Sequence, residues 1–313
     1  MSNEGGSDGS EGRRGLTRKD FLVGLPVAAI AVGFGLRNRG GGTAGVAAQA
    51  SMAPGLGLTG GLTAYHGPPI GVQLYTLRSL MGDDMEGVLE ALAEMGYAEL
   101  EFAGLWGRTS AEMRAIIDGL GLKATSSHHG QGDIRNNWES TLEGAATLGQ
   151  NYVVIPGING DERTLDGLRA VADEFNAAAE AAKAMGLGFG YHNHDWELQP
   201  LPDGTLPLDL LLERCDADLV KIEMDIFWTV HGGADPLEYF GAYPGRFACV
   251  HVKDRTADGQ MVAVGEGVID YATILGRAEQ AGIEHYYVEH DNPGDDPLGN
   301  VQFSIETLHG ILG

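Results

Sequence analysis

The stretch Cys249-Val250-His251-Val252-Lys253-Asp254 decides the fold, because an apolar, strand-like run ends there on groups that bind metals or move protons. Three further stretches have the same form: Phe189-Gly190-Tyr191-His192-Asn193-His194, Ile222-Glu223-Met224-Asp225 and Tyr287-Val288-Glu289-His290-Asp291. A barrel of alternating parallel strands and helices buries its strands and places its chemistry where they end. The four stretches together therefore predict a polar site at one face of a parallel barrel.

The rest of the chain from Ile70 onward fits the same architecture. Short β-type runs alternate with amphipathic helical runs at a period of about thirty residues, as repeated strand and helix units do. Eight strands and eight helices are predicted, which favours a single (β/α)₈ TIM barrel over residues 70–313. A doubly wound sheet is the competing fold, but no Gly-rich phosphate loop follows the first predicted strand, Ile70–Tyr75.

Composition limits the partners of this 313-residue chain. It has 44 acidic and 20 basic residues, a formal net charge of -24 and a pI near 4.6. This charge opposes binding to a phosphate backbone, so we expect no nucleic-acid partner. The two cysteines, Cys215 and Cys249, lack the spacing of a zinc site and are expected to be buried thiols, with a disulfide between them as the alternative.

The N-terminal segment 1–50 has the order of an export signal: a polar start, basic residues and then an apolar run. The stretch Thr17-Arg18-Lys19-Asp20-Phe21-Leu22 resembles a twin-arginine signal with lysine in the second position, and Ala48-Gln49-Ala50 offers a cleavage site. We expect export to the periplasm or the extracellular space, with a retained membrane anchor at Phe21–Leu36 as the alternative. Residues 51–69 are predicted to be a flexible linker, and no stable membrane span is expected in the mature form.

Three predicted strand ends carry metal-binding side chains in consecutive units of the barrel: Asp225, His251 and Glu289. Because parallel strands of a barrel end at one face, we expect these side chains to converge there. One histidine with two carboxylates suits a single divalent ion, Mn²⁺, Mg²⁺, Co²⁺ or Zn²⁺.

The chain from about Ile70 to the C-terminus resembles the sugar phosphate isomerase/epimerase family, the xylose isomerase-like barrels. The matching pieces are Gly71-Val72-Gln73-Leu74-Tyr75-Thr76, Tyr191-His192-Asn193-His194-Asp195-Trp196-Glu197, Asp225 with Trp228, Gly232-Gly233-Ala234-Asp235-Pro236, Arg246 with His251-Val252-Lys253-Asp254, Gly265-Glu266-Gly267 with Ile269-Asp270, and Val288-Glu289. The resemblance implies that Asp225, His251 and Glu289 are metal ligands. The fourth ligand is either His192 or Glu197, and Glu197 is favoured because a hard ion prefers oxygen.

The resemblance also implies a reaction, in which a proton is removed next to a carbonyl of a sugar and a metal-stabilised enediolate forms. Glu289 is the first candidate for the acid or base, and Glu197 is the second. Lys253 follows His251 by two residues and points to the same side of its strand, where we expect it to neutralise the developing oxyanion. The alternative role for Lys253 is a surface salt bridge with Asp254.

Further polar and aromatic residues at or near strand ends are expected to bind the substrate. They are Gln73, Glu101, His128, His192, His194, Trp228 and Glu266. Trp228 would offer an apolar face to a sugar ring. His128 with His129 could instead form an ordinary turn, and Glu266 between two glycines is also typical of a turn.

The leading functional hypothesis is a metal-dependent sugar isomerase or epimerase whose small-molecule substrate is a sugar or keto-sugar. A lyase or hydratase acting on 3-keto sugars, 3-keto glycosides or keto-inositol is the alternative, since it begins with the same proton abstraction. A non-catalytic sugar-binding barrel is the second alternative. Because phosphorylated sugars are mostly cytoplasmic, the expected export favours a substrate without phosphate.

Overall fold

The computed structural model describes residues 65–313, so the predicted signal segment and residues 51–64 of the predicted linker lie outside the described residues. Within residues 65–313, eight parallel strands form one sheet. Their bounds are β1 Ile70–Gln73, β2 Glu99–Phe102, β3 Lys123–Ser127, β4 Tyr152–Ile155, β5 Gly188–His192, β6 Val220–Asp225, β7 Cys249–Val252 and β8 His285–Val288.

The strand order shows a barrel. It runs β3-β2-β1-β8-β7-β6-β5-β4, and every neighbouring pair is parallel. The two end strands meet through a parallel bridge between His128 and Val154, which nearly closes the sheet on itself. The predicted single (β/α)₈ TIM barrel is confirmed for the part of the chain that the structure describes.

Helices connect the strands and cover the outside of the barrel. Their bounds are α1 Arg78–Met95, α2 Ser110–Leu120, α3 Gln131–Asn136, α4 Trp138–Leu148, α5 Leu165–Ala184, α6 Pro207–Arg214, α7 Ile226–His231, α8 Pro236–Ala242, α9 Tyr271–Leu275, α10 Ala278–Ala281 and α11 Pro297–Leu312. Three short 3₁₀ helices add to them: Leu74–Leu77, Gly160–Glu162 and Trp196–Leu198. The prediction of eight helices was therefore too low, because several connections contain two helices instead of one.

Local sequence signals explain where the elements begin and end. Helix α2 begins with a capping box, in which the Thr109 side chain accepts from the backbone N–H of Glu112 and the Glu112 carboxylate accepts from that of Thr109. Strand β1 is shorter than predicted because the Gln73 side chain accepts a hydrogen bond from the backbone N–H of Tyr75 and starts a 3₁₀ turn.

The barrel interior is polar at the carboxyl ends of the strands and aromatic nearer their amino ends. A Cβ on Gly71 would lie 2.6 Å from the ring of Tyr287, so glycine is required where that ring crosses the interior. The Tyr287 hydroxyl shares a hydrogen bond of 2.8 Å with Thr125. Glu99 and His285, the first residues of β2 and β8, form a buried pair 2.7 Å apart, which satisfies two polar groups at the amino ends of the strands.

The first described residues pack on the barrel. The ring of Tyr65 lies 4.2 Å from the ring of His309 on α11, centroid to centroid, and its hydroxyl donates to the Pro68 carbonyl. Among residues 65–313, none of the helices combines the length and the apolar character needed to cross a bilayer.

Candidate active site

Four buried side chains converge at the carboxyl ends of four adjacent strands, and we call them the outer group: His192, Asp225, His251 and Glu289. One ligand atom from each lies within 4.8 Å of the others. His192 Nε2 is 3.7 Å from Asp225 Oδ2, and His251 Nδ1 is 2.7 Å from Glu289 Oε2. The convergence follows from the fold, because His192 and Asp225 end β5 and β6 while Glu289 directly follows β8.

A buried lysine lies against the same carboxylates. Lys253 Nζ is 2.7 Å from Asp225 Oδ2 and 2.9 Å from Asp291 Oδ1, and it donates to Glu289 Oε2. Its side chain is 1% exposed, so the ammonium is desolvated and depends on these three partners for its stability.

The outer group fits a divalent cation by its donors and by its charge. Two imidazole nitrogens and two carboxylate oxygens form a mixed set that suits Zn²⁺, Mn²⁺ or Co²⁺. Asp225 Oδ2 lies beside the Lys253 ammonium but receives no well-directed hydrogen bond, which leaves a buried oxygen able to ligate. Among the described residues, one buried ammonium, that of Lys253, faces four buried carboxylates: Glu101, Glu223, Asp225 and Glu289. Burial of this excess negative charge is costly, which favours a bound cation.

A second set of side chains adjoins the outer group, and we call it the inner group: Glu101, His128 and Glu223, together with the rings of His192 and His251. Glu223 Oε2 lies 2.7 Å from His128 Nε2 and 3.1 Å from both His192 Nδ1 and His251 Nε2. Glu101 Oε2 lies 2.6 Å from His251 Nε2. His192 and His251 therefore belong to both groups: one nitrogen of each ring faces the inner group, and the other nitrogen faces the outer group.

The surroundings shift the pKa values of these groups in opposite directions. Burial raises the pKa of Asp225 to about 7, although the Lys253 ammonium acts against this rise. Burial also acts to raise the pKa of Glu289, but Lys253 and His251 hold it well below its usual value. Against the effect of burial, the carboxylates of Glu223, Glu289 and Glu101 raise the pKa of His251 well above its usual value. Glu289 is thus held as a carboxylate.

Glu197, the predicted fourth ligand and second catalytic candidate, lies in a 3₁₀ turn after β5. Its Oε1 accepts from the Tyr191 hydroxyl, and its Oε2 accepts from the backbone N–H of His194 at 2.9 Å. Burial raises the pKa of Glu197 to about 7. The structure thus places His192, and not Glu197, with the other three candidate ligands; ligation by Glu197 remains a prediction.

Most of the predicted substrate-binding residues lie around these two groups. Gln73 pairs in register with Glu101, and its side-chain nitrogen has no hydrogen-bond partner. His128 lines a cavity of about 380 Å³. The ring of His194 lies 4.8 Å from that of His192 and 5.9 Å from that of Trp228, whose buried indole N–H has no hydrogen-bond partner.

Glu266 is placed differently from this cluster. Its side chain is exposed, in a loop whose flanking glycines, Gly265 and Gly267, donate backbone hydrogen bonds to Asp254 Oδ2. Asp254 thus organises this loop. The Lys253 side chain points inward to the outer group, so the two residues do not form the surface salt bridge that was the alternative role for Lys253.

Two members of the site did not emerge from the sequence. Glu223 lies at the centre of the inner group, and Asp291 binds the Lys253 ammonium. Glu223 precedes Asp225 by two residues on β6, so strand alternation turns both side chains to the barrel interior. That period-two spacing was the signal that could have identified Glu223.

Comparison with known proteins agrees with the fold. Residues 89–309 match the family of xylose isomerase-like TIM barrels, and the chain belongs to this family. It is 29% identical to a sugar phosphate isomerase/epimerase from Parabacteroides distasonis, whose crystal structure superposes with a TM-score of 0.70 over 80% of this chain and 97% of that one.

Two further proteins are similar to this chain. An inosose dehydratase from Geobacillus kaustophilus is 24% identical over an alignment 250 residues long, which covers 64% of this chain and 80% of the dehydratase. The IolI protein, solved with a bound zinc atom, is 16% identical, with a TM-score of 0.64 over 78% of this chain and 98% of that one, and shares the fold. Related proteins are thus named as isomerases, epimerases and dehydratases.

Proposed function

We propose that the protein is a divalent-metal-dependent sugar isomerase or epimerase that removes a proton next to a carbonyl of its substrate. The observation that carries this proposal is the outer group: two carboxylates and two imidazoles converge in the barrel mouth, with the Lys253 ammonium against both carboxylates. Proton abstraction beside a carbonyl requires a fixed base and a fixed positive charge near the carbonyl oxygen, and this arrangement supplies both.

His192, Asp225, His251 and Glu289 are the residues proposed to hold the ion. When bound, a divalent ion supplies a Lewis acid that polarises the substrate carbonyl. The zinc in the IolI relative and the donor set of the outer group support a metal of this kind.

Glu289 is the proposed base. Its carboxylate is held in the charged form by Lys253 and His251, and it lies at the barrel mouth where a substrate carbon would enter. The base takes the proton from the carbon next to the carbonyl, and the electron pair moves onto the carbonyl oxygen. Lys253 then donates an N–H to that oxygen. In an isomerisation, a proton is delivered to the former carbonyl carbon, and the hydroxyl proton of the neighbouring carbon moves to the former carbonyl oxygen as the new carbonyl forms. In an epimerisation, a proton is delivered to the opposite face of the carbon that lost it, and the original carbonyl forms again.

Glu197 is the second candidate for proton transfer. Its buried carboxyl group has a pKa raised to about 7, which suits an acid or base that works near neutral pH. Both of its oxygens accept hydrogen bonds, from Tyr191 and His194, so Glu197 would act only after one of these contacts opens.

The charge of the site favours a neutral substrate. Carboxylates outnumber the cationic side chains among the buried groups of residues 65–313, so the site offers no surplus of cationic side chains to bind a phosphate. Two of the buried polar atoms without partners among the described residues, Gln73 Nε2 and Trp228 Nε1, are donors that suit hydroxyl groups. We therefore propose a free sugar, a keto-sugar or a cyclic polyol ketone. Export through the N-terminal segment, which is also proposed, agrees with a substrate that carries no phosphate.

A dehydratase acting on a keto-inositol or a 3-keto sugar is the second candidate function, and the inosose dehydratase relative favours it. It begins with the same proton abstraction. The two reactions then diverge, because the electron pair of the dehydratase intermediate expels a hydroxide from the neighbouring carbon, with a proton delivered to it as water leaves.

The test is solvent exchange followed by NMR in D₂O with Mn²⁺ present, on aldoses, ketoses, 3-keto glycosides and a keto-inositol. An isomerase or epimerase places deuterium next to the carbonyl and forms an isomer, whereas a dehydratase forms a product lighter by one water. Glu289→Gln is expected to lower the rate by about 10²–10⁴-fold. The matched control is Glu99→Gln, which alters a buried carboxylate at the amino ends of the strands. Metal binding without deuterium exchange on any of these compounds would instead indicate the non-catalytic sugar-binding barrel.

A further inference from the structure

We propose that Glu223, assisted by Glu101, is a positioning residue of the metal centre. It accepts a hydrogen bond from one nitrogen of His192. Together with Glu101, which accepts from His251, it faces one nitrogen of the His251 ring, so that the opposite nitrogens of both rings are directed at the outer group. The inference rests on the proposed function, since it concerns the metal centre that this function requires.

The geometry around His192 shows the arrangement. Its Nδ1 lies 3.1 Å from Glu223 Oε2, and its Nε2 lies 3.7 Å from Asp225 Oδ2. The first distance is that of a hydrogen bond, and the second is too long for one. Glu223 therefore fixes the ring and its tautomer, with the proton on Nδ1, and leaves Nε2 free to ligate.

His251 has the reverse orientation. Its Nε2 lies 2.6 Å from Glu101 Oε2 and 3.1 Å from Glu223 Oε2, while its Nδ1 faces Glu289 at 2.7 Å. A proton on Nε2 is donated to Glu101, with the Glu223 carboxylate beside it, and Nδ1 is then the nitrogen directed at the outer group. The two histidines are thus expected to carry their protons on different ring nitrogens.

The short distances in the inner group distinguish hydrogen bonds from a bound ion. Two ligands on one ion with bonds near 2.1 Å are separated by roughly 3.0–3.4 Å in octahedral or tetrahedral geometry. Glu223 Oε2 lies only 2.7 Å from His128 Nε2, and Glu101 Oε2 only 2.6 Å from His251 Nε2. His251 and Glu289 also approach to 2.7 Å, but His192 Nε2 and Asp225 Oδ2 of the outer group are 3.7 Å apart, a wider gap than the 3.5 Å between His128 Nε2 and Glu101 Oε2 in the inner group.

One feature of the inner group favours the competing arrangement, in which the ion binds there. Oε1 of Glu101 and Oε1 of Glu223 are buried and receive no hydrogen bond. An ion in the inner group would be bound by Nδ1 of His192 and Nε2 of His251, so the tautomers of both rings would be the opposite of those proposed. This difference makes the proposal testable without reference to turnover.

The first experiment measures the affinity of the full chain for Zn²⁺ and Co²⁺, by titration calorimetry and by the visible absorption of bound Co²⁺. A carboxylate that orients a ligating histidine typically contributes 10–100-fold to metal affinity. We therefore expect Glu223→Gln to weaken binding by about 10–100-fold with an ion still bound, and Glu99→Gln, which alters the buried partner of His285, to leave affinity unchanged. Wild-type affinity in Glu223→Gln would overturn the positioning role, and complete loss of binding in a folded variant would make Glu223 a ligand.

The second experiment uses the wild-type chain, so it does not depend on the variant folding. ¹⁵N NMR of the histidine rings in the Zn²⁺-loaded protein is expected to show His192 protonated on Nδ1 and His251 protonated on Nε2. The opposite tautomers would overturn the proposal in favour of an ion in the inner group. If Asp225→Ala abolishes binding while Glu223→Gln does not change it, the inference fails and the proposed metal centre stands. If the wild-type chain binds no ion, the proposed function itself fails.

Discussion

Replacing Lys253 by methionine removes the only ammonium of residues 65–313 that is buried among the carboxylates of the site. Methionine keeps an unbranched apolar side chain of similar length, so the change isolates the charge. In the metal-free protein, Asp225 and Glu289 would then be buried without the Lys253 ammonium, and Glu289 would keep only His251 as a cationic partner among the described residues. Breaking a buried ion pair from one side typically costs about 3–5 kcal/mol in the free energy of unfolding. Since Lys253 has three carboxylate partners, we expect a loss in the upper part of that range.

A divalent ion should reverse much of this loss, because it supplies positive charge to the same oxygens. Each tenfold gain in the affinity of Lys253→Met for Mn²⁺ restores about 1.4 kcal/mol when Mn²⁺ is saturating. We expect the difference from wild type to fall to about 1–2 kcal/mol under those conditions.

Urea denaturation followed by circular dichroism, with and without Mn²⁺, measures both quantities. The control is Lys221→Met, since Lys221 Nζ donates only to the backbone carbonyls of Ala217 and Gly245. This control should lose about 1 kcal/mol or less, regardless of metal. The reasoning is refuted if Lys253→Met is no less stable than Lys221→Met in the metal-free protein, or if Mn²⁺ leaves the difference unchanged.

Three further predictions concern the ligand set, the barrel interior and the cysteines. His192→Asn should lower Zn²⁺ affinity at least tenfold while Glu197→Gln retains a bound ion, as elemental analysis after dialysis would show; a loss of metal only in Glu197→Gln would restore Glu197 as the fourth ligand. Gly71→Ala should destabilise the protein by about 1–3 kcal/mol, because the added Cβ meets the Tyr287 ring. Thermal unfolding measures this loss, and the control Gly119→Ala, on the exposed face of α2, should be neutral or stabilising in the same assay. Both free cysteines are buried, and burial raises the pKa of the Cys215 thiol to about 12. A disulfide reagent should therefore modify neither thiol before urea unfolds the chain. Rapid modification of the folded protein would contradict their burial.

The sequence by itself determined the barrel and the positions of its chemistry. Apolar runs that end on Asp225, His251 and Glu289 predicted both, because parallel strands of a barrel end at one face and strand residues alternate between its two sides. The structure brings these three side chains together as expected. The predicted first strand, Ile70–Tyr75, is two residues longer than β1, because no local pattern in that run shows that the Gln73 side chain caps a 3₁₀ turn.

Only the tertiary structure decided which side chains share a site. Glu197 was favoured over His192 because hard ions prefer oxygen, but the turn after β5 directs its carboxylate to Tyr191 and the backbone of His194. Glu223 is not predicted as a site residue, although it lies on the same face of β6 as Asp225. Its place in the inner group depends on contacts with the rings of His128 and His192, which come from other parts of the barrel. Strand ends follow from local periodicity, whereas rotamers, loop paths and shared hydrogen bonds depend on contacts between residues far apart in the chain, and a single sequence does not encode those contacts in any local pattern.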